Sequence, residues 1–136
     1  MSAILQDIWI LTESGVSVYS RVYNPKVNEQ LFGALMSAIN QFAEQVAEGG
    51  ISSFELSNKK FSIIRKDNFL FVANASVKQK DKRVKEELKR ISEKFFEEYS
   101  HILEDWDNDV SVFEDFEKKI EDSLDQTLKK FQNAFW

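Results

Sequence analysis

The chain has 136 residues, a formal net charge of −5, 43% hydrophobic and 13% aromatic residues, and no cysteine. One ordinary domain spanning 1–136 is expected, burying roughly two-thirds of the surface that the unfolded chain exposes, and the apolar content excludes a disordered chain. The acidic balance argues against general nucleic-acid binding, because phosphate backbones reward cations, and the lack of cysteine excludes disulfides, thiolate metal sites and cysteine nucleophiles.

In chain order, residues 4–12 (ILQDIWILT) and 16–23 (VSVYSRVY) predict two strands joined by Glu13-Ser14-Gly15, where Gly15 can supply the positive φ of a tight hairpin. Val16, Val18, Ser20 and Val22 alternate with Ser17, Tyr19, Arg21 and Tyr23, the period of a sheet with two unlike faces. No basic region precedes the first apolar stretch and Asp7 interrupts it early, so a signal peptide is not expected. No apolar run reaches the ~20 residues needed to cross a bilayer, and a cytoplasmic protein is expected, if anything peripheral to a membrane.

Asn24-Pro25 breaks the second strand, and Asn28 is placed to cap a helix running to about Glu48. Leu31, Leu35, Ile39, Phe42 and Val46 recur at helical spacing, predicting a buried stripe widened by Phe32, Met36 and Ala43, and Gly49-Gly50 is a suitable terminator. Three strands follow, at 51–56 (ISSFEL), 61–66 (FSIIRK) and 69–76 (FLFVANAS), with turns at residues 57–60 and 67–68. The first of the three is the most polar, which suits a sheet edge. By contrast Phe69 to Ala73 is apolar at every position, which requires cover on both faces and therefore a central place.

From about Asp81, the residues Val84, Leu88, Ile91, Phe95, Tyr99, Ile102 and Trp106 mark a helix of roughly 25 residues. After the break at 105–109, Ser111-x-x-Glu114 has the form of a capping box. It predicts a last helix burying Phe113, Phe116, Ile120, Leu124, Leu128, Phe131 and Phe135, with Trp136 ending the stripe or docking a partner. The expected fold is α/β (α+β): a five-stranded antiparallel sheet, order β-β-α-β-β-β-α-α, with one helix on one face and two on the other.

With IWILTESGVSVYSRVY, FSIIRKDNFLFVANAS, FFEEYSHILEDW and FEDFEKKIEDSL in that order, the chain resembles the longin (SNARE-like) family over nearly its whole length. It has no heptad segment before Trp136, so the resemblance is to a longin without a SNARE motif. Roadblock domains are near neighbours that share the sheet, but they place a helix before the first strand, whereas only Met1 to Ala3 precede strand character here. The resemblance implies a non-catalytic scaffold of membrane-trafficking type that binds a small GTPase or a second longin or roadblock domain, including a homodimer. The alternatives are a regulatory GAP- or GEF-type subunit of a small GTPase, and a small-molecule sensor or hydrolase with a pocket between helices and sheet.

The inventory of chemistry is thin. His101 is the only histidine, which suits a helix surface near a C-terminus better than a metal site or a triad. Asp105, Asp107 and Asp109 alternate as in a calcium loop, yet Val110 and Phe116 stand where that loop needs glycine and glutamate, so a solvated capping turn is expected. No Gly-rich phosphate cradle occurs, and the Asn74-Ala75-Ser76 sequon sits at a strand end. No catalytic residue, cofactor or metal is expected.

Two surfaces remain. Residues 78–90 carry Lys78, Lys80, Lys82, Arg83, Lys85, Lys89 and Arg90 against three carboxylates, while residues 97–125 carry twelve carboxylates against two lysines. The basic segment is either an ordinary wetted helix face or a patch for acidic lipid or an acidic partner, with Lys78, Lys80, Lys82, Arg83 and Lys85 as its centre. The second surface is the predicted edge strand with Ser52 and Phe54, beside small residues Gly33, Ala34 and Ser37 on the first helix, which would let a partner approach closely.

Overall fold

The structure is a computed structural model, and it describes residues 5–22, 28–47, 51–107, 109–116, 118 and 120. Five antiparallel strands form one sheet: β1 (Asp7–Thr12), β2 (Ser17–Arg21), β3 (Ser53–Glu55), β4 (Lys59–Lys66) and β5 (Phe69–Ser76), in the spatial order β2-β1-β5-β4-β3. The expected edge and centre are both found: β3 lies at a rim and β5 in the middle, buried at every position except Ser76.

A strand hydrogen-bonded on both sides still has two open faces, and the alternation of β1 and β5 assigns each side chain to one of them. Ile8, Ile10, Phe69, Phe71, Ala73 and Ala75 face helix α2 (Asp81–Leu103), meeting its Val84, Leu88, Ile91, Phe95 and Tyr99. Phe113, Phe116 and Ile120 complete that layer as expected. The other parity, Trp9, Leu11, Leu70 and Val72, joins Phe61 and Ile63 of β4 against Phe32 and Met36 of helix α1 (Glu29–Val46). Trp9 stacks on Phe32 with ring centroids 4.2 Å apart. Asn74 is buried on the α1 side, where its amide accepts from the Asp7 backbone and donates to the Asp7 carboxylate, both at 3.0 Å. The side chain of the sequon asparagine is thus a bracket between strands.

The start of β4, at Lys59 rather than after a turn reaching residue 60, and the start of the C-terminal layer differ from the sequence expectation. The C-terminal layer opens with a 3-10 turn, Val110–Phe113, capped by Asp109 rather than Ser111, because the Asp109 carboxylate reaches both the backbone N–H and the hydroxyl of Ser111. Leu124, Leu128, Phe131, Phe135 and Trp136 lie outside the described residues.

The larger correction concerns α1. Asn28 caps it as expected, accepting from the N–H groups of Gln30 and Leu31. However, Leu31, Leu35, Phe42 and Val46 of the predicted buried stripe point to solvent, and the buried face carries Phe32, Gly33, Met36, Ser37 and Asn40 instead. The helix is turned by about one residue step, roughly 100°. Backbone contact sets this rotation. Gly33 packs directly on the β1–β2 turn, where Gly15 holds φ +96, and an added Cβ on Gly33 would lie 2.0 Å from the Gly15 carbonyl oxygen. Beside it the Ser37 hydroxyl donates to the Glu13 carbonyl at 2.5 Å. Gly33→Ala is therefore expected to push α1 off the hairpin and destabilise the protein by about 1–3 kcal/mol, the usual cost of overpacking. Ser37→Ala should remove about 1 kcal/mol, and urea titration followed by circular dichroism measures both.

Candidate partner interface

The rotation of α1 leaves a line of large apolar side chains in water. Leu31, Leu35, Phe42 and Val46 are 65%, 53%, 67% and 69% exposed. Their spacing of four, seven and four residues keeps them on one stripe of the helix. Full burial of such side chains is worth about 1.5–3 kcal/mol each, so a contiguous stripe of four carries a large free energy that the folded chain leaves unused.

The neighbouring sheet rim has the same character. Among the described residues β3 pairs only with β4, so its outer edge leaves backbone groups free to extend the sheet. Phe54 is half-buried and stacks on Phe61 with centroids 4.7 Å apart and planes 5° off parallel, on the sheet face that α1 covers. Ser52 is exposed, and Leu56, just past the strand, is 55% exposed.

The residues singled out in the sequence separate into groups. Ala34 is exposed and lies near the stripe, while Ser52 and Phe54 stand at the rim. Gly33 and Ser37 are buried, and the close approach that their small size allows is to the chain's own β1–β2 turn. The residues that sequence reasoning missed as surface are Leu31, Leu35, Phe42 and Val46. Their signal was present as a second apolar stripe on one helix, beside buried positions filled by glycine, serine and asparagine.

The basic segment sits at the opposite end of α2 from the acidic one. Lys78, Lys80, Lys82, Arg83 and Lys85 are all exposed. Lys80 occupies the N-cap of α2 without a side-chain capping bond, so cations crowd a helix end that is itself positive. The counterweight is Asp81, which pairs with the buried Lys60 at 2.5 Å, while Lys60 also donates to the Gln79 carbonyl at 3.2 Å. At the far end Glu104, Asp105, Asp107, Asp109, Glu114 and Asp115 are exposed around the C-terminus of α2 and the 3-10 turn. His101 is exposed in the last turn of α2. The Tyr99 hydroxyl donates to Asp115, and burial with that bond pushes the phenol above its usual range. Among the described residues there is no group of three or more His, Cys, Asp or Glu that could hold a metal ion, and no helix is long and apolar enough to cross a membrane.

The hydrogen bond and charge of Lys60 hold the Asp81 carboxyl below its ordinary value of 3.8. A depressed carboxyl stabilises the fold above its unfolded pKa and loses that contribution as pH falls through the folded one. Asp81→Asn should accordingly be less stable than the parent at pH 7, and the two should converge once the pH is well below 3.8. Thermal melts across that range check the difference.

No family model matches the sequence, and no curated protein matches it. Solved structures do. The fold is similar to a Roadblock/LC7 domain from Streptomyces avermitilis, at 11% identity and TM-score 0.55, covering 65% of this chain and 79% of that one. Myxococcus xanthus MglB gives 12% identity and TM-score 0.60 over 74% and 87% of the two chains. The gliding protein MglB from Thermus thermophilus, and an MglB described as having a tetrameric arrangement, each give 13% and 0.51 over 65% and 73%. These likenesses support the roadblock side of the expected resemblance; the longin side, preferred because only Met1 to Ala3 precede strand character, is not supported by them. The chain has a five-stranded α+β fold like that of these roadblock and MglB structures, the roadblock/longin-like architecture.

Proposed function

We propose that this protein is a non-catalytic interaction module that pairs with a second copy, or with another roadblock-type domain, through α1 and the β3 edge, and that the paired module engages a small GTPase. The observation that carries this reading is the solvent-facing stripe Leu31, Leu35, Phe42 and Val46 on the same side of the sheet as an unpaired rim. Two such surfaces meeting about a twofold axis would cover both stripes and join the two sheet edges, which is the self-complementary contact that closed dimers use. A tetrameric arrangement is stated of one MglB, in keeping with association as a property of the fold. The GTPase part rests on the family resemblance, and a regulator of GTP turnover is the neighbouring form of the same reading.

Phe42→Glu tests the pairing without disturbing the core, since Phe42 is 67% exposed. The parent chain should elute as a dimer in size exclusion with light scattering, and the variant as a folded monomer that no longer copurifies with a small GTPase. A parent that stays monomeric at all concentrations would contradict the reading.

A second surface merits its own reading. Lys78, Lys80, Lys82, Arg83 and Lys85 are exposed together at the uncapped end of α2, although cations there work against the helix. We infer that they contact an anionic surface, such as acidic lipid, where each cation can contribute about 1 kcal/mol. Liposome flotation should recover the protein with acidic vesicles and not with neutral ones; equal recovery from both would remove this contact.

A further inference from the structure

A cleft of about 530 Å³ opens at the end of the sheet on the α2 side, where the β1–β2 turn, the β4–β5 turn and the C-terminus of α2 converge. It is separate from the α1–β3 surface. Its wall is aromatic: Phe69, Phe96 and Trp106 stand with the Phe69 centroid 6.0 Å from Phe96 and 6.1 Å from Trp106. Those rings are fixed. Trp106 donates its indole N–H to the Asp109 carbonyl at 3.0 Å and packs edge-on against the buried Phe113.

The charged residues that line this cleft share one sign. Glu13, Asp67 and Glu104 come from three different segments to line the same cleft, and among the described residues no ion pair engages any of them. Ser100 and Leu103, also in the lining, belong to the last turn of α2, whose carbonyl end adds negative potential. Lys66, which is not among the residues lining the cleft, lies over the Phe96 ring at 5.3 Å, an example within this chain of a cation held on that ring.

Carboxylates set around fixed aromatic faces suit a ligand that is cationic, flat and carried on an aliphatic stem. A guanidinium can stack on a ring while its N–H groups reach carboxylates on several sides, and its methylenes can cover the apolar part. A compact ammonium satisfies fewer of these contacts at once. We propose that the cleft is a recognition site for an arginine side chain presented by a partner protein.

The test is an NMR titration of the full 15N-labelled chain with N-acetyl-Gly-Arg-Gly amide, run beside the same peptide carrying neutral citrulline and beside spermidine. The arginine peptide should shift the amides of Ser14, Asn68 and Ser100 and the Trp106 indole N–H. The citrulline peptide should bind about fivefold or more weakly, the scale expected for one or two exposed charge pairs. Asp67→Asn with Glu104→Gln should bring arginine binding down to the citrulline level; asparagine tolerates the left-handed backbone of position 67, and Glu104→Gln alone serves if the double variant unfolds. Phe42→Glu should leave the arginine response intact, which separates this site from the pairing surface. Equal binding of citrulline, shifts confined to other regions, or binding that survives the carboxylate variants would overturn the proposal. Tighter binding of spermidine than of the arginine peptide would also overturn it, in favour of a small polyamine site.

Discussion

The two-sided burial of β5 is the constraint from which the rest of the molecule follows. A strand with hydrogen-bonded neighbours on both edges and apolar side chains on both faces is stable only when each face is covered. β1 and β4 supply the edges, and α1 and α2 supply the faces. The alternation along Phe69 to Ala75 then decides which side chains meet which helix. The two layers are built differently. On the α2 side, phenylalanines from strand, helix and C-terminal segment pack edge to face; on the α1 side a few large side chains are joined by buried polar groups and by backbone touching backbone.

That difference explains how far the sequence could be read. The apolar run of β5 and the single stripe of α2 are unambiguous patterns, because each admits one arrangement that hides its apolar groups. The Asn28 cap and the positive φ of Gly15 are local chemistry and were equally legible. For α1 the pattern offers two apolar stripes about one residue apart, and counting hydrophobic side chains favours the one that remains in water. What decides the rotation is long-range: Gly33 against Gly15 and Ser37 against Glu13, contacts between segments roughly twenty residues apart that no local periodicity reports. The same limit applied to the cleft, since Glu13, Asp67 and Glu104 are distant in the chain and only the meeting of two turns with a helix end brings them together. The capping box at Ser111 was legible but outcompeted, because Asp109 offers a charged acceptor two residues earlier.

A helix with apolar residues on two sides serves two layers at once. One side of α1 completes the chain's own core, and the other meets the surroundings beside a sheet edge that could accept another strand. The glycine contact places the helix by main-chain shape rather than by side-chain fit, so its outer residues can change without altering where the helix sits. An interaction surface can diversify on such a support while the fold stays constant, which suits the 11–12% identity between this chain and structures of similar fold.

The charge arrangement of α2 has a physical consequence beyond any single contact. Basic side chains gather where the helix backbone is positive and acidic ones where it is negative, so the two contributions add instead of cancelling. A modest net charge thus conceals a substantial electric moment along the helix. Another charged body would exert a torque on the molecule at a distance of about one Debye length, ~8–10 Å at ordinary ionic strength, and orient it before collision. Which end arrives first would then be chosen by the sign of the approaching field.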